Sequence, residues 1–211
     1  MRCGILEWSK MRYDAILFDF DGVLIDSEPL HFACWRELAA PLGVRIDWET
    51  YNTRLRGHSG DGLIETMRRL ADPAVPFDTM QSIYPAKNDL FRERVMQTEV
   101  MSEGVKELLR ALAEYRLAIV SSARQAHVFP ILGRAGVREC FDTIVCRDDV
   151  TAVKPSPEPY RTAASRLGAD RALVVEDSEA GLASGRAAGF DVLYIPEYSQ
   201  MPDLLMRKLT R

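Results

Sequence analysis

The sequence contains few cysteines and lacks the features of an exported or membrane-anchored protein. Its 211 residues include four cysteines without a CxxC spacing, which we interpret as reduced thiols with no assigned function: Cys3, Cys34, Cys140 and Cys146. The N-terminal apolar stretch is too short for a signal peptide and is interrupted by Glu7 and Lys10. No apolar run approaches the roughly 20 residues of a membrane span. We therefore expect a cytoplasmic protein with no membrane partner.

The sequence also lacks a block of basic residues. The formal net charge is −4 and neither Lys nor Arg forms a cluster, which argues against a nucleic-acid or anionic-membrane surface. We expect a small molecule as the partner, and a monomer. A hydrophobic content of 47% in 211 residues is enough for one large domain or for a core with a smaller insert. Residues 1–11 precede the first predicted strand, so we expect a frayed extension with Met11 as an alternative start.

The most informative stretch is Tyr13–Glu28, which reads YDAILFDFDGVLIDSE. Its apolar run Ala15–Phe18 predicts a buried strand of a parallel sheet, and open α/β sheets keep their ligand sites at the carboxyl ends of such strands. Asp19 and Asp21 come directly after this run. Two carboxylates there can share a divalent cation or divide the nucleophile and acid/base roles. The alternative is that both aspartates are turn or capping residues.

The pattern after Ser27 predicts an all-helical block inserted into the core. Pro29 suits a first helical turn, and apolar residues then repeat at helical spacing. We expect further helices at Trp48–Leu55, Gly62–Leu70 and Phe77–Gln97. This organisation predicts a helical cap domain over residues 28–97 and a core domain formed by residues 1–27 and 98–211.

From Gly104 onward, predicted helices and strands alternate, which is typical of the α/β class. We expect a doubly wound, Rossmann-like parallel sheet. Its later strands are predicted at Leu117–Ser121, Thr143–Cys146, Ala172–Glu176 and Val192–Ile195. A helix is predicted at Gln125–Ala135, where Pro130 suggests a kink or a late start.

Polar residues follow three of the later strands, as Asp19 follows the first. They are Ser121 and Ser122, then Lys154, then Glu176 and Asp177. Parallel strands bring all these ends to one edge of the sheet. Ser122 and Ser178 could instead be helix N-caps, but that alternative does not account for Lys154. Carboxylates gathered in one crevice repel one another unless cations compensate them, and Mg²⁺ is the oxygen-preferring ion that suits such a set.

Four motifs in this order resemble those of the haloacid dehalogenase superfamily. The resemblance is to its branch of small phosphatases and β-phosphoglucomutase-like enzymes with an inserted helical cap. The motifs are DFDGVLIDSE at 19–28, VSS at 120–122, KPSPEPY at 154–160 and VVEDSEAGLASGRAAG at 174–189. The first and last strings are long and specific, and the resemblance covers nearly the whole chain from Tyr13 onward.

The resemblance implies roles for the acidic residues. Asp19 would be the nucleophile that forms an aspartyl-phosphate, as well as a metal ligand. Asp21 would protonate the leaving oxygen and then activate water, and its backbone carbonyl would contact the metal. Asp177 would bind Mg²⁺ directly, with Glu176 binding either directly or through water.

The resemblance also implies phosphate-binding residues in the core. Ser121 and backbone amides near Ser122 would hold the oxygens of the transferring phosphoryl group. Lys154 would balance the charge of that group and of the nucleophile.

In the cap, the loop 54–60 resembles the family loop that reaches over the crevice. Substrate contacts are therefore expected from Arg56, Gly57, His58 and Ser59. His58 could instead be a merely exposed loop histidine. His31 lies where mutase-like members also place a histidine, and its alternative is a structural or hinge contact.

Three positions depart from the family pattern. Gly60 stands where β-phosphoglucomutases place an arginine that grips the phosphate not being transferred, which disfavours mutase activity. Val153 and Glu158 replace a common glycine and aspartate, and we interpret them as loop variation.

The resulting hypothesis is a Mg²⁺-dependent phosphatase for a small phosphorylated metabolite such as a sugar or polyol phosphate. The alternative is a β-phosphoglucomutase-like phosphoryl transferase. A non-catalytic phosphometabolite-binding protein would require a loss in the acidic set, and a dehalogenase would lack Asp21.

Overall fold

The structure is a computed structural model that describes residues 12–56 and 60–210. Within these ranges, five strands form one parallel sheet: β1 (Ala15–Phe18), β2 (Arg116–Val120), β3 (Thr143–Val145), β4 (Ala172–Glu176) and β5 (Asp191–Tyr194). The spatial order β3-β2-β1-β4-β5 places β1 at the centre. The expected α/β class with a doubly wound parallel sheet is confirmed.

The central strand is apolar throughout because both of its faces are covered. Every residue of β1 is buried, and Phe18 lies in register with Ile119 of β2 and Val175 of β4. The next residue, Asp19, still donates its backbone N–H to Val175 O at 2.9 Å. The ladder thus holds the backbone of Asp19 at the carboxyl edge of the sheet, where its side chain leaves the apolar layer.

Helices flank the sheet in the core unit. They are α6 (Glu103–Ala111), α7 (Gln125–Ala135), α8 (Glu158–Leu167), α9 (Glu179–Ala188) and α10 (Met201–Leu209). The Ser178 side chain caps α9 by accepting a hydrogen bond from the backbone N–H of Gly181 at 3.1 Å. α7 starts at the predicted residue and continues through Pro130.

The chain separates into two compact units. One combines the described residues before Ser27 with those after Val100, and the other is Ser27–Val100, close to the expected 28–97. The second unit contains α1 (Glu28–Ala39), α2 (Trp48–Arg54), α3 (Gly60–Arg68), α4 (Phe77–Ser82) and α5 (Tyr84–Val95). Its own apolar core includes Trp35, Ile64 and Met67, each at most 2% exposed.

The prediction of one helix over Phe77–Gln97 is wrong. α4 ends at Ser82, and α5 begins at Tyr84 with Pro85 in its first turn and ends at Val95. Proline has no N–H to donate and its ring clashes with the preceding turn, so a continuous helix is interrupted at this position. None of the helices within residues 12–56 and 60–210 is both long and apolar enough to cross a membrane.

Candidate active site

Asp19 lies at the carboxyl end of the central strand in an almost closed environment. The residue is 8% exposed, and its Oδ1 accepts a hydrogen bond from Lys154 Nζ at 2.5 Å. Burial raises the pKa of Asp19 well above its ordinary value, the Lys154 ammonium opposes this shift, and the nearby Glu176 and Asp177 carboxylates add to it. An additional positive charge in this cluster would favour the ionised form that a nucleophile needs.

Lys154 is the cation of the cluster. Its side chain is 5% exposed, and Nζ also donates to Glu176 Oε1 at 2.6 Å and to the carbonyl oxygen of Val120 at 2.9 Å. These contacts, together with Asp19, use the three donors of an ammonium group. Burial opposes the charge, but the two carboxylates outweigh it and raise the pKa of Lys154 above its ordinary value. The side chain is therefore a fixed positive charge at neutral pH.

Glu176 is the most enclosed carboxylate of the cluster, and both of its oxygens accept hydrogen bonds. Oε1 accepts from Lys154 and from the Tyr160 hydroxyl at 2.9 Å. Oε2 accepts from the backbone N–H of Asp177 and from the N–H and hydroxyl of Ser178, each at 3.0 Å. Burial alone would raise the pKa of Glu176, but Lys154 and these donors lower it below its ordinary value. Glu176 is thus held ionised.

The acidic residues are arranged to hold a cation. Among the described residues, Asp19, Glu176 and Asp177 each offer a carboxylate oxygen, and these atoms lie within 4.8 Å of one another. Three carboxylates against one ammonium leave net negative charge, and an all-oxygen set is the donor chemistry that Mg²⁺ prefers. A Cβ added to Gly22 would lie 2.1 Å from Asp177 Oδ2, so the Asp177 carboxylate packs against the backbone just after Asp21.

Gly181 gives Glu176 the space that it occupies. A Cβ at position 181 would lie 1.7 Å from Glu176 Oε1, and the buried carboxylate has no room to move aside. We expect Gly181→Ala to lower the free energy of unfolding by about 1–3 kcal/mol, the range of an overpacked core site. Urea denaturation measures this change.

Gly104→Ala is the matched control, because this helical glycine has open space around its Cβ position. There the substitution should be neutral or stabilise by about 0.5–1 kcal/mol. Equal stability of the two variants would contradict the packing described around Glu176.

The predicted phosphate-binding serines occupy the end of β2. Ser121 is 5% exposed, its backbone N–H donates to the Val145 carbonyl at 2.9 Å, and its Oγ accepts from the Ala123 N–H at 3.0 Å. The contact with Ala123 fixes the position of Ser121 Oγ. The hydroxyl proton is not used by this contact and can be donated to another acceptor. Ser122 is exposed in the turn before α7.

The residues predicted in the cap belong to the helical unit. Arg56 follows α2, and its backbone N–H donates to the Tyr51 carbonyl at 2.9 Å. Gly57, His58 and Ser59 lie outside the described residues, so their substrate contacts stay predictions.

His31 lies on α1 within this helical unit. Its ring stacks on Phe91 at 3.9 Å between centroids, and Nδ1 lies 2.7 Å from Lys87 Nζ. Burial and the Lys87 charge lower the pKa of His31 to about 3. A neutral imidazole that accepts from Lys87 fits the structural alternative, and a substrate contact by His31 stays a prediction.

Two residues near the cluster were not assigned from the sequence. The Glu158 carboxylate accepts from the N–H groups of Thr151 and Ala152, each at 2.8 Å, and from the Thr151 hydroxyl. It therefore fastens the loop that carries Lys154. Tyr160 ends the KPSPEPY motif and contacts Glu176, but the motif itself does not say where its hydroxyl points.

A haloacid dehalogenase-like hydrolase family model matches residues 13–189, a range that contains every member of this cluster. The chain belongs to this family. This match confirms the expected family. It also confirms the prediction that the chain is an enzyme of the haloacid dehalogenase-like hydrolase class.

Proteins similar in sequence to this chain match most of its length. Protein CbbY of Rhodobacter capsulatus is 33% identical over 204 residues, which is 92% of this chain and 90% of that protein. A phosphorylated carbohydrates phosphatase of Thermotoga maritima is 29% identical, covering 86% of this chain and 84% of that protein. CbbY of Rhodobacter sphaeroides, solved in complex with phosphate and as a variant with xylulose-(1,5)bisphosphate, is 31% identical with a TM-score of 0.64, covering 85% of this chain and 84% of that one.

Proposed function

We propose that this chain is a Mg²⁺-dependent phosphatase that hydrolyses a small phosphorylated metabolite through an aspartyl-phosphate on Asp19. The observation that carries the proposal is the contact of one buried lysine with the predicted nucleophile and with Glu176. A sugar or polyol phosphate is the proposed substrate class. Two similarities support this class. The Thermotoga maritima relative is named a phosphorylated carbohydrates phosphatase, and Rhodobacter sphaeroides CbbY was solved with phosphate and with xylulose-(1,5)bisphosphate.

In the first half of the reaction, an Asp19 carboxylate oxygen attacks phosphorus while the bond to the leaving oxygen breaks. Asp21 donates its proton to that oxygen, and it is suited to exchange protons because it is only partly buried. In the second half, Asp21 takes a proton from water as the water oxygen attacks phosphorus, the bond between phosphorus and the Asp19 oxygen breaks, and inorganic phosphate leaves with the Asp19 carboxylate regenerated. Throughout, Ser121 binds the phosphoryl oxygens, and the Lys154 ammonium balances their charge and so limits repulsion between them and the Asp19 carboxylate.

Asp19, Asp177 and the backbone carbonyl of Asp21 would hold Mg²⁺. When bound, the ion supplies positive charge that offsets the charge of the phosphoryl group and of the acidic cluster. Glu176 would complete the set either directly or through water, and both of its oxygens already accept hydrogen bonds from the protein.

The residues proposed to contact the rest of the substrate are those of the cap loop. They are Arg56, Gly57, His58 and Ser59, with His31 as a further candidate on α1. Gly60 offers no cation for a second phosphate, and its φ of +60° is a left-handed backbone conformation that favours glycine. This supports hydrolysis over the mutase alternative, which must hold a bisphosphorylated intermediate in either orientation.

An assay of the purified protein tests this proposal. We expect Mg²⁺-dependent release of phosphate from a generic aryl phosphate and faster release from one member of a panel of sugar and polyol phosphates, both lost with EDTA. β-Glucose 1-phosphate supplied with a bisphosphate primer should yield inorganic phosphate rather than glucose 6-phosphate.

Each alternative predicts a different outcome of the same assay. Isomerisation faster than phosphate release would replace the phosphatase by the mutase. Binding of phosphorylated metabolites without any turnover, at saturating Mg²⁺, would identify a non-catalytic binding protein. Undiminished hydrolysis after complete removal of divalent cations would contradict the proposed cofactor.

A further inference from the structure

Tyr160 is a buried tyrosine whose hydroxyl points into the acidic cluster. It lies on α8, is 0% exposed, and packs with Ala15 and Val174 in the apolar layer over the sheet. Its hydroxyl donates to Glu176 Oε1 at 2.9 Å. Phenylalanine would fill the same apolar space, so packing alone does not explain a hydroxyl at this position.

The oxygen that accepts from Tyr160 is also the oxygen that accepts from Lys154. Lys154 Nζ lies 2.6 Å from Glu176 Oε1 and 2.5 Å from Asp19 Oδ1, so one ammonium bridges two carboxylates. The same Nζ lies 5.0 Å from the centroid of the Tyr160 ring. Tyr160 thus contacts both ends of the Lys154–Glu176 pair, through its hydroxyl and its ring face.

The Tyr160 hydroxyl weakens the electrostatic attraction between the Glu176 carboxylate and the Lys154 ammonium. A carboxylate oxygen that shares its charge with a second donor attracts an ammonium less strongly than one that accepts from the ammonium alone. The Tyr160 hydroxyl is fully buried and donates to Glu176 Oε1 at 2.9 Å, so this oxygen accepts from two donors at once. Without the Tyr160 hydroxyl, Glu176 Oε1 would accept from Lys154 alone. The stronger attraction would then draw Nζ away from Asp19.

We propose that Tyr160 is a positioning residue for phosphoryl transfer: its hydroxyl holds Glu176 Oε1 so that Lys154 stays shared between Glu176 and Asp19. Glu176 then fixes the position of the Lys154 side chain. This inference rests on the proposed function, because it concerns the site at which Asp19 attacks phosphorus. It adds a residue whose effect on the reaction passes entirely through Lys154.

Tyr160→Phe tests the proposal, since it removes the hydroxyl and retains the ring. We expect kcat to fall about tenfold or more, the effect of losing a hydrogen bond to a charged group, with the Mg²⁺ concentration for half activity changed less than about twofold. The dissociation constant of vanadate, measured by calorimetry, should rise about tenfold. In a crystal structure of the variant, Lys154 Nζ should lie beyond hydrogen-bond distance of Asp19.

Tyr13→Phe is the matched control in the same unit. Its hydroxyl donates to Asp191 Oδ2 at 2.6 Å, near the amino end of β1 and away from the acidic cluster. This variant should match the wild type in kcat, vanadate affinity and lysine position. All measurements are made well below the unfolding midpoint of the less stable variant, so partial unfolding does not imitate a lower kcat.

The outcomes separate this inference from the proposed function. An inactive wild-type protein would contradict the phosphatase, whereas the position of Lys154 in the Tyr160→Phe structure would still decide the role of the hydroxyl. Wild-type kcat and vanadate affinity in Tyr160→Phe, with Lys154 unmoved, would overturn the proposal. An equal loss of kcat in Tyr13→Phe would overturn it too, because the effect would then not depend on the acidic cluster.

Discussion

Replacing Asp19 by asparagine should reduce turnover by a factor of about 10⁴ or more, the size of effect seen when a reacting group is removed. An amide is a poor nucleophile toward phosphorus and supplies no negative charge for a cation. The fold should remain intact, because the backbone N–H of residue 19 would still donate to Val175 O and the side-chain volume hardly changes. Steady-state phosphate release measures the loss.

The same variant should not be less stable than the wild type in the absence of metal. Burial raises the pKa of Asp19 in the folded state, so the ionised form of this side chain lowers the free energy of unfolding. That stability returns as the pH falls from the folded-state pKa toward the unfolded-state pKa, because the folded chain then binds the proton more tightly. Asparagine removes this cost while Lys154 keeps Glu176 as a partner. Mg²⁺ should raise the unfolding midpoint of the wild type and have little effect on Asp19→Asn.

Asp14→Asn is the control for this prediction. Asp14 precedes the same strand β1 at its amino end, where it pairs with Arg171 at 2.5 Å and has a lowered pKa. Its replacement should leave kcat unchanged. Retention of a tenth of wild-type turnover in Asp19→Asn would remove Asp19 from the nucleophile role.

Replacing Lys154 by methionine should both abolish efficient turnover and destabilise the fold. The substitution keeps the length of the side chain but leaves Asp19 and Glu176 buried without their cation, which costs about 3–5 kcal/mol in the free energy of unfolding. Urea denaturation of metal-free protein measures this change. Excess Mg²⁺ should restore part of the stability but not the turnover, because the ion does not replace the positive charge that Lys154 places against Asp19.

The loss of stability in Lys154→Met should depend on pH. Without the ammonium, the pKa values of Asp19 and Glu176 should rise in the folded state, so protonation on acidification relieves the repulsion. The difference from wild type should therefore be smaller at pH ~5 than at pH ~8, since carboxylates with raised folded-state pKa values regain stability as the pH falls.

Lys106→Met is the control for the charge removal. Lys106 pairs with the exposed Glu103 one helical turn away, so its loss should change the free energy of unfolding much less than the loss of Lys154. A pH-independent defect in Lys154→Met, equal to that of Lys106→Met, would contradict the electrostatic account.

The sequence predicts the sheet and the acidic edge because local patterns determine both. The apolar run before Asp19 is the length of a buried strand, and parallel strands must end at a common edge, so Asp19, Lys154 and Glu176 could be brought together without coordinates. The sequence also contains the signal that ends α4 and starts α5, namely Pro85. Pro85 has no backbone N–H to donate, so it disfavours a helix that continues through this position.

The contacts of Tyr160 and Glu158 could not be predicted in the same way. Whether the Tyr160 hydroxyl reaches Glu176 depends on how α8 is rotated and how closely it packs on the sheet, and a shift of one ångström would break that hydrogen bond. Glu158 looked like a tolerated loop variant. Its longer side chain in fact reaches back to the N–H groups of Thr151 and Ala152, a contact that depends on the path of the loop.

The surplus of carboxylates around Asp19 has a consequence for the resistance of the protein to proteolysis. An ion that binds only the folded chain adds stability that grows with the logarithm of its free concentration. A metal-starved chain would keep Asp19, Glu176 and Asp177 together without that help and would open more often. Proteases cleave transiently opened chains, so the rate at which a protease degrades this chain should fall as the concentration of the ion rises.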